Sequence, residues 1–351
     1  MEQTLPKFCG LAHDCVDEIA GSDALHRLMD KRMVFIVGKG GTGKTSITAA
    51  LGILAEGRGK RVLLVEAGDA DHLGALFDGD TLPETPTPLQ NNIWGVRINP
   101  RAVIDEYVRT FIPNGFLAGT ISNSSLFEHL TAATPGLKEV MTLGQIWRWE
   151  QEMIADSDGV PRFDLILVDA PATGHGLSLL RVPATLLKMI QIGPIASQTR
   201  TVLEALQDPV KTGIVQVTLP EELPISETLE FEASARNELK MAHDLIFINC
   251  IYPDVFDRDE QARIQSLAHR SSNEIGDGIS AMLAVAVRKI TRRNLQQTYI
   301  DKLCRNTDSP LVGIPFYFTG EFGPGEINDM ATRFRVCMQM TTANEKERVN
   351  V

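Results

Sequence analysis

Gly38-Lys39-Gly40-Gly41-Thr42-Gly43-Lys44-Thr45 decides how the rest of the chain is read. Met33-Val34-Phe35-Ile36-Val37 precedes it, an apolar run with the density of a buried strand, and Ser46 to Glu56 follows as a helix. Strand, glycine-rich turn and helix start are the context a phosphate loop requires, and G-x-x-x-x-G-K-[ST] is met in full. Without side chains, the glycines let successive backbone N–H groups turn inward around an anion. The helix N-terminus adds unpaired donors and the positive end of its dipole. Gly38, Gly40, Gly41, Thr42, Gly43, Lys44, Thr45 and Ser46 are therefore the candidate nucleotide-binding set. Lys44 is placed to hold the β- and γ-phosphates and Thr45 to offer its hydroxyl to Mg²⁺.

Working outward, the chain has 351 residues, enough for a sizeable core, and 43% hydrophobic residues, ordinary for a globular protein. No run of about twenty uncharged apolar residues predicts a membrane span, and Met1 to Asp30 carries acids and no long apolar run, unlike a secretory signal. A cytoplasmic protein is expected, with any membrane association peripheral. Five scattered cysteines (Cys9, Cys15, Cys250, Cys304, Cys337) show no C-x-x-C spacing and argue against a disulfide framework or a structural zinc. A net charge of −11 argues against broad nucleic-acid binding.

Apolar strands then alternate with helices. Arg61–Glu66, Ile93–Ile98, Phe163–Asp169, Gly213–Thr218, Asp244–Asn249 and Leu311–Pro315 read as strands, Ile93–Ile98 as edge-like. Thr81–Asn92, Pro220–Pro224 and Phe316–Gly325 read as loops, and Ser226 as the N-cap of a helix. Leu137, Val140, Met141, Gly144 and Trp147 share one helix face, and Leu143, Ile146, Trp149 and Met153 make a second stripe, so that helix is covered on more than one side. Pro183 and Gly193-Pro194 are expected helix breaks. The pattern predicts an α/β doubly wound, mostly parallel sheet of the P-loop NTPase type with an inserted helical subdomain. Residues 1–30 form a loosely attached leader with a short helix near Asp14–Ile19. Residues 31–330 form the P-loop domain, with helical insertions over about 101–156 and 177–207. Residues 331–351 form a C-terminal helix and frayed polar tail. Phe163–Asp169, four apolar residues and then an acid, is a Walker B pattern that would bring Asp169 to Mg²⁺.

Lys39 is not required by the general loop pattern. K-G-G-x-G-K-[ST] resembles the deviant loop of the MinD/ArsA/ParA class of ATPases, whose extra lysine acts on nucleotide phosphates, often across a dimer interface. Asp169-Ala170-Pro171-Ala172-Thr173-Gly174-His175, with Leu177, Leu179 and Leu180, resembles the D-T-A-P-T-G-H-T-x-R-x-L segment of the ArsA family. That family includes the arsenical pump ATPase and the ATPase that targets tail-anchored membrane proteins. Pro135-Gly136 with Glu139 resembles its P-G-x-x-E segment, Asn249 stands where it uses an Asn against adenine, and Pro315-Phe316 falls near its second adenine contact. The chain departs from the family at Glu66-Ala67-Gly68-Asp69-Ala70-Asp71, where switch I reads S-T-D-P-A. It departs again where Ala170, Pro171, Ala172, Gly176 and Ser178 replace other residues. The family's metalloid-binding cysteines and its C-x-x-C zinc site have no counterpart.

The resemblance implies ATP and Mg²⁺ as cofactors, with Lys39, Lys44 and Asp69 as catalytic residues and Thr45 and Asp169 as metal ligands. Asp69, with Asp71 second, orients the attacking water. Lys39 neutralises transition-state charge from the opposite subunit, which implies a homodimer closing around ATP. Hydrolysis to ADP and phosphate would drive a conformational cycle coupled to an unknown client, a transporter or a hydrophobic protein segment. The alternatives are a low-turnover nucleotide switch and a ParA/MinD-like positioning ATPase.

Overall fold

The computed structural model describes residues 8–10, 19–68, 72–79, 81–111, 136–155, 159–270 and 276–349. Along the chain lie β1 (Phe8–Gly10), α1 (Ile19–Met29), β2 (Met33–Gly38), α2 (Lys44–Glu56), β3 (Val62–Glu66), β4 (Thr87–Gln90), β5 (Ile93–Arg97), α3 (Pro100–Phe111) and α4 (Leu137–Gln151). Then come β6 (Leu165–Asp169), α5 (Thr173–Met189), α6 (Pro194–Gln207), β7 (Thr212–Thr218), α7 (Glu222–Ser234), β8 (His243–Ile251), α8 (Arg258–Ala268), α9 (Asp277–Asn306), β9 (Leu311–Pro315) and α10 (Pro324–Val349). The strands form one sheet in the order β1-β9-β8-β7-β2-β6-β3-β5-β4. Every pairing is parallel except β4 with β5.

Helices cover both faces, as buried parallel strands demand. Along β2, Val34 and Ile36 join a core with α1, α2 and α10, while Met33, Phe35 and Val37 join the opposite core with α4, α5 and α6. This alternation is the period-two geometry of a strand. The predicted two-sided burial of α4 is seen. Leu143, Ile146 and Trp149 face the sheet-side core, and Leu137, Val140 and Met141 pack with Ile104 and Leu186 in a smaller cluster between helices. Met153 leaves that stripe and is exposed, because α4 has ended at Gln151.

Several local expectations are corrected. Part of the Thr81–Asn92 loop is β4, antiparallel at the sheet edge, where Pro88 is tolerated. Helix α7 starts at Glu222, so Ser226 lies inside it, its hydroxyl donating to the Glu222 carbonyl. Pro224 sits in the first turn, where its missing N–H costs no hydrogen bond. Pro183 lies within α5, whose Leu179, Leu180 and Leu186 stay buried on either side of it, so packing overrides the break. The expected leader is built into the sheet and its cover: β1 pairs with β9, and Ala24, Leu25, Leu28 and Met29 of α1 are buried. The helix expected near Asp14–Ile19 falls largely outside the described residues, and α1 begins at Ile19. Cys250 and Cys304 are free thiols, and Cys337 is disulfide-bonded. No helix among the described residues is long and apolar enough to cross a membrane.

Candidate functional site

The order β2-β6-β3 at the centre of the sheet sets the loops after these strands side by side at their carboxyl ends, where open α/β sheets bind ligands. The first is the phosphate loop. Gly38 has φ 152°, and a Cβ there would lie 2.3 Å from the Val217 carbonyl oxygen on the neighbouring strand. Gly43 has φ 94°, and a Cβ there would lie 2.3 Å from Asn249 Nδ2. Only glycine fits either position. The loop closes on the Lys39 carbonyl, which accepts from Thr42 N (3.4 Å), Thr42 Oγ1 (2.9 Å) and Lys44 Nζ (3.2 Å). Gly43 N-caps α2 with no side chain to satisfy the first turn. The donors of that turn are thus available to an anion.

Asp169 ends β6 opposite Ile36 of β2 and Glu66 of β3. Thr45 Oγ1 donates to Asp169 Oδ2 at 2.6 Å, so the hydroxyl and carboxylate expected to share Mg²⁺ are in contact. The other oxygen, Oδ1, is buried with no hydrogen-bond partner among the described residues. Burial pushes the carboxyl up to about 6, against the Thr45 hydrogen bond and the Lys44 charge, with the nearby Glu66 adding to the rise. Burial likewise holds the Lys44 ammonium below its usual range, and Asp169 partly restores it. A buried carboxylate with one uncommitted oxygen is the donor a hard cation would use. Among the described residues no three His, Cys, Asp or Glu side chains converge to hold a metal unaided. The residues therefore fit Mg²⁺, which binds through one or two protein oxygens, substrate phosphates and water rather than a protein cage.

The third loop follows β3. Asp69 and Asp71, the candidates for orienting water, lie outside the described residues. Glu66 is buried, and its Oε1 accepts from His72 N (3.0 Å) and Leu73 N (3.3 Å). The reading from sequence gave Glu66 no role, yet it ties the return of this loop to the end of its strand. An acid closing an otherwise apolar strand was the available signal. Glu227 on α7 was missed too. Lys39 Nζ lies 2.8 Å from Glu227 Oε1, and the two side chains are 41% and 39% exposed. No sequence signal marks Glu227, because α7 reaches the loop only through the fold.

Asn249, near the end of β8, donates from Nδ2 to the Thr42 carbonyl (2.9 Å) and accepts at Oδ1 from Cys250 N (2.8 Å). Its amide thus supports the phosphate loop from behind. Pro315 ends β9 opposite Ile251, and Phe316 N donates to the Ile251 carbonyl. The Phe316 ring stacks on Tyr252 at 5.0 Å and 12°. Asn249, Pro315 and Phe316 are therefore gathered at one end of two adjacent strands. Ser46 lies in the first turn of α2. A cavity of about 600 Å³ opens between the ends of β3 and β5 and the start of α4, lined by Gly68, Arg101, Lys138, Glu139 and Pro171 among others. The two segments that resemble the ArsA family after the phosphate loop thus meet across one cavity, through Pro171 and Glu139.

Residues 31–201 match the family model described as anion-transporting ATPase. ATPase BagA of Mycobacterium tuberculosis is 33% identical over 226 residues, covering 63% of this chain and 66% of BagA. An arsenical pump-driving ATPase of Acidiphilium multivorum is 29% identical over 241 residues, 63% of this chain and 40% of that protein. An ATPase ASNA1 homolog of Entamoeba histolytica is 27% identical over 262 residues, 63% of this chain and 77% of that protein. The chain thus spans just under two thirds of BagA and well under half of the arsenical pump-driving ATPase. The matched stretch holds the phosphate loop, the Thr45–Asp169 contact and the segment from Asp169 to His175, so the similarity to the ArsA ATPase family runs through residues 31–201.

Proposed function

We propose that this chain is a Mg²⁺-dependent ATPase that hydrolyses ATP to ADP and phosphate. The observation that carries the reading is the 2.6 Å contact between Thr45 and the buried Asp169, set beside a closed phosphate loop. When bound, Mg²⁺ would supply charge neutralisation to the phosphates, held by Thr45 and Asp169. The backbone from Gly40 to Thr45 cradles the phosphates, and Lys44 contributes its charge once it leaves the Lys39 carbonyl. Asp69 orients the attacking water, with Asp71 the alternative.

Lys39 acts on the phosphates from the opposite subunit of a homodimer. Its tie to Glu227 is the resting contact that this step must break. Both partners are substantially solvated, so the tie is a weak one. The cavity shared by Pro171 and Glu139 supports a route from the segment after β6 to the helices α3 to α6, which would pass the state of the nucleotide to a client. The client is a transporter or a hydrophobic protein segment. The Lys39–Glu227 pair also favours a second reading, a nucleotide switch of low turnover in which Lys39 stays engaged.

Steady-state ATP hydrolysis by the wild type, Lys39→Ala and Asp169→Asn distinguishes them. Loss of about 10²–10³ in turnover for Lys39→Ala is expected if it neutralises transition-state charge. Asp169→Asn should lower turnover and raise the Mg²⁺ concentration needed for half-maximal rate. Equal turnover in all three proteins would overturn the ATPase mechanism, and slow turnover that ignores Lys39 alone would favour the switch.

A further inference from the structure

Helix α9 is built of two unlike halves. Its buried residues, Ile290, Gln296, Ile300 and Leu303, all lie from Ile290 onward. There Gln296 fastens it to β8, donating to the Cys250 carbonyl (2.9 Å) and accepting from Tyr252 N (2.8 Å). The half from Asp277 to Lys289, roughly 20 Å of helix by the rise per residue, buries no residue. The helix packs against α8, which also buries none of its residues. Yet Ile279 to Val287 is apolar except for Ser280, and Ile279, Met282 and Val285 are 56%, 74% and 48% exposed. An exposed apolar helix face of this kind calls for an occupant.

The charges choose the occupant. From Gly278 to Ile300 the sequence contains no acid and four cations, Arg288, Lys289, Arg292 and Arg293, in a chain of net charge −11. Arg288, Lys289 and Arg292 are exposed and form no salt bridge among the described residues. Arg292 lies over the Tyr252 ring at 4.4 Å. The order along the helix is therefore an apolar end, a basic band and then the body of the protein. A second copy of α9 laid on this face would cover the apolar end but offer the basic band no counter-charge, since the helix carries no acid from Gly278 to Ile300. An anionic lipid surface satisfies both halves at once: the apolar end enters the acyl boundary, and the band sits at the headgroup phosphates. Nine residues are too few to cross a bilayer. We infer that α9 docks the protein peripherally on anionic membranes, through Ile279, Met282 and Val285 with Arg288 and Lys289. The inference is independent of the reading of the nucleotide site.

The test is flotation of the full chain with vesicles of phosphatidylcholine alone and with roughly one third phosphatidylglycerol. The wild type should float with the anionic vesicles, bind the neutral ones at least about tenfold more weakly, and be released by high salt. Met282→Asp with Val285→Asp should lose binding. Arg288→Ser with Lys289→Ser should weaken it by about tenfold or more. These side chains are exposed, and unchanged melting by circular dichroism would show that both variants fold. Absence of vesicle binding, or equal binding to neutral and anionic vesicles, overturns the proposal. So does a wild-type dimer that fails to float and that Met282→Asp with Val285→Asp converts to a monomer in light scattering.

Discussion

Lys39 and Glu227 form an exposed ion pair at the phosphate loop. An exposed ion pair is worth up to about 1 kcal/mol, and that energy is subtracted from any state in which Lys39 reaches a phosphate elsewhere. Glu227→Gln should therefore raise ATP turnover by as much as about fivefold, read in a steady-state assay at saturating nucleotide. A fall in turnover would mean that Glu227 orients Lys39 for its work rather than holding it back. Single residues were unevenly legible. Gly38, Lys44, Thr45 and Asp169 announce themselves because phosphate and metal chemistry demands those types at that spacing. Glu227 and Glu66 do not, since each matters through what the fold brings beside it. Asn249 was expected against adenine only through the family resemblance, and its contact with the Thr42 carbonyl could be seen only once β8 was placed next to the loop.

Among the elements, the central strands were readable from apolar density, while β4 was not. Thr87-Pro88-Leu89-Gln90 has no such density, and its pairing depends on β5 offering an open edge. Strand β8 carries a titratable group with a consequence for stability. His243 is half-buried, with Nδ1 2.8 Å from Ser309 Oγ and Nε2 2.9 Å from Gln216 Oε1. Ser309 in turn donates to Glu232. Burial pushes the imidazole down to about 4, despite the upward pull of Glu232 and with a further downward push from Arg236. The unfolded value is about 6.5, so between about pH 6.5 and pH 4 the unfolded chain holds a proton that the native protein refuses. The stabilisation is full above that window and is lost as pH falls through it. Asp169 and Asp244 have the opposite sign, since burial raises both. The comparison must therefore be a difference. The urea midpoint of His243→Gln should change less between pH 7.5 and pH 5 than that of the wild type, in the direction of a smaller acid loss. An equal or larger acid loss in the variant would remove His243 from the account.

For the molecule as a whole, the sheet and its two helical covers followed from the alternation of elements. The roles of the chain's two ends did not. Residues 1–30 looked loose because they are short of long apolar runs, and the C-terminal helix was expected without a place in the core. The described parts of both cover the same face. Phe334 of α10 is fully buried and lies 5.0 Å from the Phe247 ring, and Ser22 of α1 donates to the Met338 carbonyl. Phe334→Ala should cost about 3–5 kcal/mol, measured by urea unfolding. A loss under about 1 kcal/mol would mean that α10 contributes little to the core.

That shared cover also sets an order of events during synthesis. Strand β1 and helix α1 leave the ribosome before the other described elements, yet their partners, β9 and α10, begin only at Leu311 and Pro324. At about 5–20 residues per second, the apolar side of α1 waits on the order of fifteen seconds to a minute for the surface it will lie against. The face that looks most settled in the finished protein is therefore the last to close. A nascent chain stalled before residue 311 should present α1 to chaperones, and one released after α10 should not.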